Sequence, residues 1–248
     1  MLRTVVGKQL DHDPNFRWRG EAVTRIENLS DIAFALALGM LISGVDAPTN
    51  YLGLKKFLGS IVPAALGFTV LLGLWHSHYT FFRRYGVADG RILFLNAILI
   101  FVVLFMAYPL RFAFDSLFAF ITLMFTGDFS RSAELGVSSM QIAGEFVAYF
   151  SLAYALAFAI FAMMYGHVLK RADLLALSPY ELAVSRQMRT VRWLQFVISV
   201  VTASIAYFTP LGPIAGSLLG TFFLAYFWAH RRHPLPPGVV MADDHTSV

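Results

Sequence analysis

Arg25-Ile-Glu-Asn-Leu-Ser-Asp31 sets a guanidinium, a hydroxyl and a carboxylate within seven residues, and the stretch that follows, Ile32 to Val45, carries no charge. Ionisable side chains are costly in hydrocarbon, so their presence at the entrance to an apolar helix points to a path for ions or protons. Trp75-His-Ser-His78 adds an indole donor and two imidazoles, and Asn96 adds an amide inside another apolar run. Such a set can hold a polar knot, guide a cation or titrate near neutrality through His78. Arg25 and Asp31 are six apart and do not stack on one helical face, so their partners are expected on other helices, Trp75 and His78 among them.

Other chemistries lack their parts. His76 and His78 are two apart and face different sides of a helix, and neither His-x-x-x-His nor Glu-x-x-His occurs, which sets metalloprotease chemistry aside. With no cysteine there is no thiolate site and no disulfide framework. A Gly-rich phosphate loop, a serine-nucleophile elbow and the carbonyl filter sequence Thr-Val-Gly-Tyr-Gly are all missing. No enzyme activity, cofactor or structural metal is expected.

The elements that must position these residues are membrane helices. The chain is 58% hydrophobic and 14% charged, against about 25% charged in ordinary soluble domains. An all-α membrane protein with six spans is predicted: Ser30–Val45, Phe57–Phe82, Ile92–Leu110, Ile142–Tyr165, Val191–Phe208 and Leu211–Ala229. The third is expected to stop near Pro109 and Arg111. Ala113 to Gly127, short and interrupted by Asp115, reads as a re-entrant or interfacial piece, with extension of the third span as the alternative. Glu145 reads as a helix-start charge. Trp193, Tyr226 and Trp228 read as interfacial anchors.

Basic residues orient the chain. Arg3, Lys8, Arg17, Arg19, Arg25, Arg83, Arg84, Arg91, Lys170, Arg171, Arg186, Arg189, Arg192, Arg231 and Arg232 fall on one side of a six-span layout, leaving only Lys55, Lys56, Arg111 and Arg131 on the other. The positive-inside rule then places both termini in the cytoplasm. This use of the charge gives no reason to expect a nucleic-acid partner. The segment 1–29 is expected as a cytoplasmic lead without a cleavable signal, 30–232 as the membrane domain, and 233–248, with Pro234, Pro236 and Pro237, as a disordered cytoplasmic tail. The charged stretch from Lys170 to Arg192 is expected to continue its flanking helices beyond the membrane.

On a wheel, Leu29, Ile32, Leu36, Gly39, Met40 and Ser43 share one face of the first helix, and Ser30, Ala33, Ala37 and Gly44 form a neighbouring face of small residues. The first face can meet lipid or pack, or it can line a pore in which a hydrophobic ring gates by dewetting. Spacing alone does not choose.

Arg25, Ser30 and Asp31, with the following short apolar helix, resemble the Arg-x-x-x-Phe-Ser-Asp signature of the lysosomal potassium channel called transmembrane protein 175 and its prokaryotic relatives, Leu29 standing where the family has Phe. Trp75 and His78 are similar to the family's Trp-x-x-His pattern, and Asn96 with Pro109 fits its third span; the matches run from Arg25 to Pro109. The resemblance implies a potassium-permeable cation channel in a prokaryotic plasma membrane, a homotetramer with the first helix of each subunit lining the pore. It puts the narrowest ring five residues after Asp31, at Leu36, with further rings at Met40 and Ser43, Ile32 and Gly39 beside them, and potassium passing near Leu36 and Ser43. Gly39 stands where the family carries a hydroxyl, which implies only modest potassium preference. Arg25, Ser30, Asp31, Trp75, His78 and Asn96 become its polar network. The alternative kept open is a proton-coupled secondary transporter, although no span shows a broken midpoint with ionisable residues.

Overall fold

The computed structural model describes residues 13, 15–20, 22–43, 48–127, 130–137 and 139–236, and all their regular structure is helical. In chain order the helices are α1 (Arg25–Ser43), α2 (Tyr51–Gly59), α3 (Ile61–Tyr85), α4 (Gly90–Thr126), α5 (Ser130–Glu134), α6 (Met140–Leu169), α7 (Pro179–Phe208), α8 (Gly212–Ala215) and, after a 3-10 stretch at Gly216–Thr221, α9 (Phe222–Arg232). Among the described residues four runs are long and apolar enough to cross a membrane: Tyr51–Tyr85, which joins α2 and α3, Gly90–Thr126, Met140–Leu169 and Pro179–Phe208.

Local chemistry sets the boundaries. Thr24 and Glu27 form a reciprocal cap on α1: Glu27 N–H donates to Thr24 Oγ1 at 3.3 Å and Thr24 N–H to Glu27 Oε1 at 3.0 Å. Ser178 and Glu181 repeat the device at the head of α7, with Pro179 in its first turn. Asp89 caps α4 by accepting from Arg91 N and Ile92 N. Gly86 ends α3 at φ 60°, where a side chain would be strained.

Two predicted boundaries are corrected. The third helix does not stop at Pro109, and Ala113 to Thr126 extends it, the alternative reading, instead of turning back: Gly90–Thr126 is one helix of 37 residues, about 55 Å long. Pro109 sits on the exposed face, where its ring costs no interior packing, and Arg111 does not mark a membrane edge because it is buried and partnered. The sixth segment, expected as a continuous helix over Leu211–Ala229, is broken into α8, the 3-10 stretch and α9. Gly212, Pro213, Gly216 and Gly220 crowd this region and weaken a regular helix there.

α6 and α7 form the most extensive helix pair, α8, α9 and the 3-10 stretch pack on α7, and α1 rests on α4 and α3. Of the stretch from Lys170 to Arg192, only the part from Pro179 continues a flanking helix, α7; α6 ends at Leu169 and residues 170–176 form turns. The described part of the N-terminal segment is tied down at this end. Phe16 is fully buried, and Arg19 grips both oxygens of Glu181 at 2.8 Å. Arg19 N and Gly20 N donate to Arg83 O. At the other terminus Gln187 Nε2 donates to His233 O at 2.6 Å, and Leu235 packs on the core. The remainder of the expected tail, 237–248, lies outside the described residues.

Arg192 on α7 is buried without a carboxylate among the described residues. It donates to Gln195 and to Ser77 of α3, and it lies over the rings of Phe158 and Phe161 at 5.7 and 5.4 Å. The ring faces supply the negative potential a carboxylate would otherwise provide.

Asp89 also joins the head of α4 to the tail of α6, lying 2.7 Å from His167 Nε2 and 2.6 Å from Arg171 Nη1. Burial opposes its ionisation, but the Ile92 N–H and the charges of His167 and Arg171 outweigh it and hold the carboxyl below its usual range. A lowered carboxylate contributes stability that is present above its unfolded value, about 4, and lost as pH falls through the folded one. Asp89→Asn keeps a capping oxygen, so it should cost about 1 kcal/mol or less at pH 7. The gap from wild type should close only below about pH 4, as read by thermal unfolding in detergent.

Candidate functional site

The polar residues of the opening motif are brought together with those of α3 and α4 in two contacts. In the buried one, His78 Nε2 lies 2.9 Å from Asn96 Oδ1, Asn96 Nδ2 donates to Ser30 Oγ at 2.9 Å, and Ser30 Oγ donates to Ile26 O at 2.8 Å. An amide oxygen only accepts, so His78 carries its proton on Nε2. Donation then runs in one direction from α3 through α4 to α1. Ser30, His78 and Asn96 are almost completely buried, and Phe34 and Phe82 flank the imidazole with centroids 5.7 and 4.6 Å away. In the second contact, Trp75 Nε1 donates to Asp31 Oδ1 at 2.9 Å, near the surface. Arg25 does not join either: it is exposed and has no ion pair among the described residues.

The far end of α1 is held by a residue that sequence reasoning assigned to a loop. Arg111 of α4 is buried and donates through Nη1 to Leu41 O at 2.6 Å and to Ile42 O at 3.3 Å. Its Nη2 donates to Ser60 Oγ at 3.2 Å, and Asp115, four residues on, lies 3.5 Å from Nε. These are last-turn carbonyls of α1, which have no partner within the helix and carry its negative dipole end. Counting Arg111 as an outer-loop charge was therefore an error. The signal available in sequence was Asp115 at helical spacing, which neutralises Arg111 inside a continuous helix.

Between the two clamps α1 has two different sides. Ala33, Phe34, Ala37 and Leu41 are buried. Leu41 enters the space left by Gly67, where an added Cβ would come within 2.8 Å of it. On the other side Ile32 and Leu36 are 66% and 55% exposed, and Leu29 and Gly39 are exposed with them. Met40, expected on that stripe, is half-buried and packs on the core. The backbone of Ser43 closes α1, and its side chain lies outside the described residues, as does Gly44. Glu145 lies in the second turn of α6, 3.5 Å from Gln141 Nε2, away from this assembly.

A sequence model of the family described as Endosomal/lysosomal potassium channel TMEM175 matches residues 25–106, a stretch that contains both polar contacts. A protein of Marivirga tractuosa named as a potassium channel is 30% identical over 225 residues, covering 90% of this chain and 88% of its own length. The chain belongs to the TMEM175 potassium-channel family. It stands with the prokaryotic members and is a multi-pass membrane protein, not an enzyme. Among solved structures, a variant of the potassium channel MtTMEM175 in complex with a nanobody–MBP fusion superposes with a TM-score of 0.77 at 28% identity, covering 89% of this chain and 95% of that one. A TMEM175 homologue from Chamaesiphon minutus shares the fold, with a TM-score of 0.53 at 19% identity over 84% of this chain and 96% of that one.

Asn96→Leu should leave the His78 N–H unpaired in an apolar setting, and Arg111→Met should strip the carbonyls at the end of α1. Each should lower detergent stability by about 1–3 kcal/mol. Amide exchange should accelerate along α1, first at its Ile26–Ser30 end for Asn96→Leu and at its Leu41 end for Arg111→Met.

Proposed function

We propose that this TMEM175-family chain is a passive potassium channel, a homotetramer whose four α1 helices turn the stripe of Ile32, Leu36 and Gly39 toward a common axis. The observation that carries this reading is that the stripe is apolar and uncovered while the opposite side of the same helix is fixed by buried hydrogen bonds and tight packing. Leu36 forms the main constriction, Met40 contributes from the edge of the stripe, and Ser43 faces the outer mouth. Ser30, Asp31, Trp75, His78 and Asn96 set the rotation of α1 instead of binding the ion, and Arg25 stands outside their contacts.

In this arrangement α1, α2 with α3, α4, α6, α7, and α8 with α9 supply six spans, with both termini in the cytoplasm of a prokaryotic cell. The membrane domain covers 30–232, between a lead of 1–29 and a tail of 233–248. Ions pass Leu36 with their water, since its side chain offers no ligand, and the barrier is the cost of wetting an apolar neck. The transporter reading gains little from the break in the sixth segment: Gly212 to Thr221 contains no ionisable residue to couple a proton.

Potassium flux into liposomes should not saturate like a carrier, and Leu36→Asn should raise it several-fold by wetting the neck. Unchanged flux in Leu36→Asn and Leu36→Ala would remove the pore assignment, and a detergent-corrected mass of one or two subunits would remove the tetramer. Gly39 offers a second reading of the same pore, because a Cβ there meets nothing within 4 Å. Gly39→Thr should fold normally and raise the potassium-to-sodium permeability ratio under bi-ionic conditions, by adding a hydroxyl ring where there is none.

A further inference from the structure

The basic residues at the end of the bundle opposite Arg111 are not all spent on orientation or folding. α6, α7, α9 and the head of α4 form an open cavity of about 510 Å³ whose lining includes Arg91, Lys170, Arg189 and Arg232. Among the described residues none of these four forms an ion pair, whereas Arg19, Arg111 and Arg171 each meet a carboxylate. Two acids at this end are already engaged, Asp89 by His167 and Arg171 and Glu181 by Arg19, and no acid among the described residues lines the cavity. His233, also in the lining, is held below its usual imidazole range by burial and by Arg232, Arg186 and Arg189. Burial is the larger cause, and the three arginines add to it, as expected where cations gather.

The same cavity is not polar throughout. Met163, Leu194 and Val197 continue its wall along α6 and α7. Trp193 and Trp228 stand on its rim at 41% and 44% exposure, and Arg232 lies over the Trp228 ring at 5.0 Å. Tryptophan settles where hydrocarbon meets headgroups, and a long apolar wall below a cluster of free cations suits an amphiphile with an anionic head. A soluble nucleotide or phosphate has no use for that wall.

We propose that this pocket holds the phosphate headgroup of an anionic phospholipid, with an acyl chain lying along Met163 and Val197. The lipid belongs to the leaflet at this end of the bundle and ties α6, α7 and α9 together through charges that otherwise repel. The proposal is independent of the pore: it uses no residue of α1 and predicts binding, not conduction.

The test uses the full chain in mixed vesicles and reads quenching of tryptophan fluorescence by phosphatidylglycerol brominated in its acyl chains, against phosphatidylcholine brominated in the same way. Wild type should be quenched preferentially by phosphatidylglycerol, and most of that excess should vanish in Trp193→Phe with Trp228→Phe. Arg189→Gln and Arg232→Gln should each weaken the preference roughly five-fold. Arg189→Lys should retain it, which separates lost charge from lost fold. Arg231→Gln, on the same helix but outside the lining, should leave it unchanged. Equal quenching of wild type by the two lipids would overturn the proposal. So would an equal loss in Arg231→Gln and Arg189→Gln, which would reduce the effect to net charge. Displacement of the lipid by millimolar glycerol 3-phosphate would also overturn it, by making the site one for free phosphate.

Discussion

In hydrocarbon a polar group without a partner costs several kcal/mol, and the rest of this fold is arranged around meeting that demand at Asn96. One amide joins three helices: it accepts from His78 of α3 and donates to Ser30 of α1, whose hydroxyl passes the donation to its own backbone. Each partner has a fixed sense of donation, so the three helices meet in one rotational setting. Turning α1 by one residue, about 100°, would carry Ser30 away and leave the buried Asn96 Nδ2 without its acceptor. The exposure of Ile32 and Leu36 follows from the position of Ser30, because residues two and six further on lie well round the helix from it.

A single polar contact would still let α1 pivot. Arg111 prevents this by bonding to the carbonyls at the other end, and Asp115 and Ser60 hold the guanidinium in place. The charge is acceptable at depth because it is spread over donors that all find acceptors, two of them carrying the negative pole of the helix. Between the clamps the contact is carried by Phe34, Ala37 and Leu41, with Gly67 allowing the close approach. A helix held in this way can leave its other side bare without shifting to cover it. That is what the proposed pore requires of it.

Much of this arrangement was legible in the sequence. The motif at Arg25 to Asp31, the Trp75 and His78 pair and Asn96 were identifiable as polar residues in apolar runs, and such residues seek one another. Their order of contact was not legible, since Asp31 pairing with Trp75 while His78 takes Asn96 depends on helix rotation. Pro109 misled because proline breaks helices in water, where its carbonyl partner can turn to solvent. In a long apolar helix there is no better alternative for the neighbouring backbone, and the helix continues. Thr24 and Glu27 carry a capping signature that spacing alone would have revealed. The break after Gly212 shows the opposite error, in which an apolar run long enough to span was taken as regular although its glycines weakened it.

The arginines also show why counting charges along a chain is a weaker guide than locating their partners. Arg19 and Arg111 are internal fasteners, partnered by Glu181 and by Asp115 with helix-end carbonyls, and Arg192 is buried against Gln195, Ser77 and aromatic faces. The charge of Arg19 and Arg111 is largely cancelled by Glu181 and Asp115, so those two contribute little to the field that a bilayer or an ion senses. Arg91, Lys170, Arg189 and Arg232 differ in meeting no carboxylate among the described residues, and they are gathered on one cavity. Removing Arg111 from the outer count makes the excess of free positive charge at the opposite end sharper, not weaker. The proposed orientation and the proposed lipid pocket then have the same physical source: cations left without a carboxylate partner where the helices would reach the headgroups.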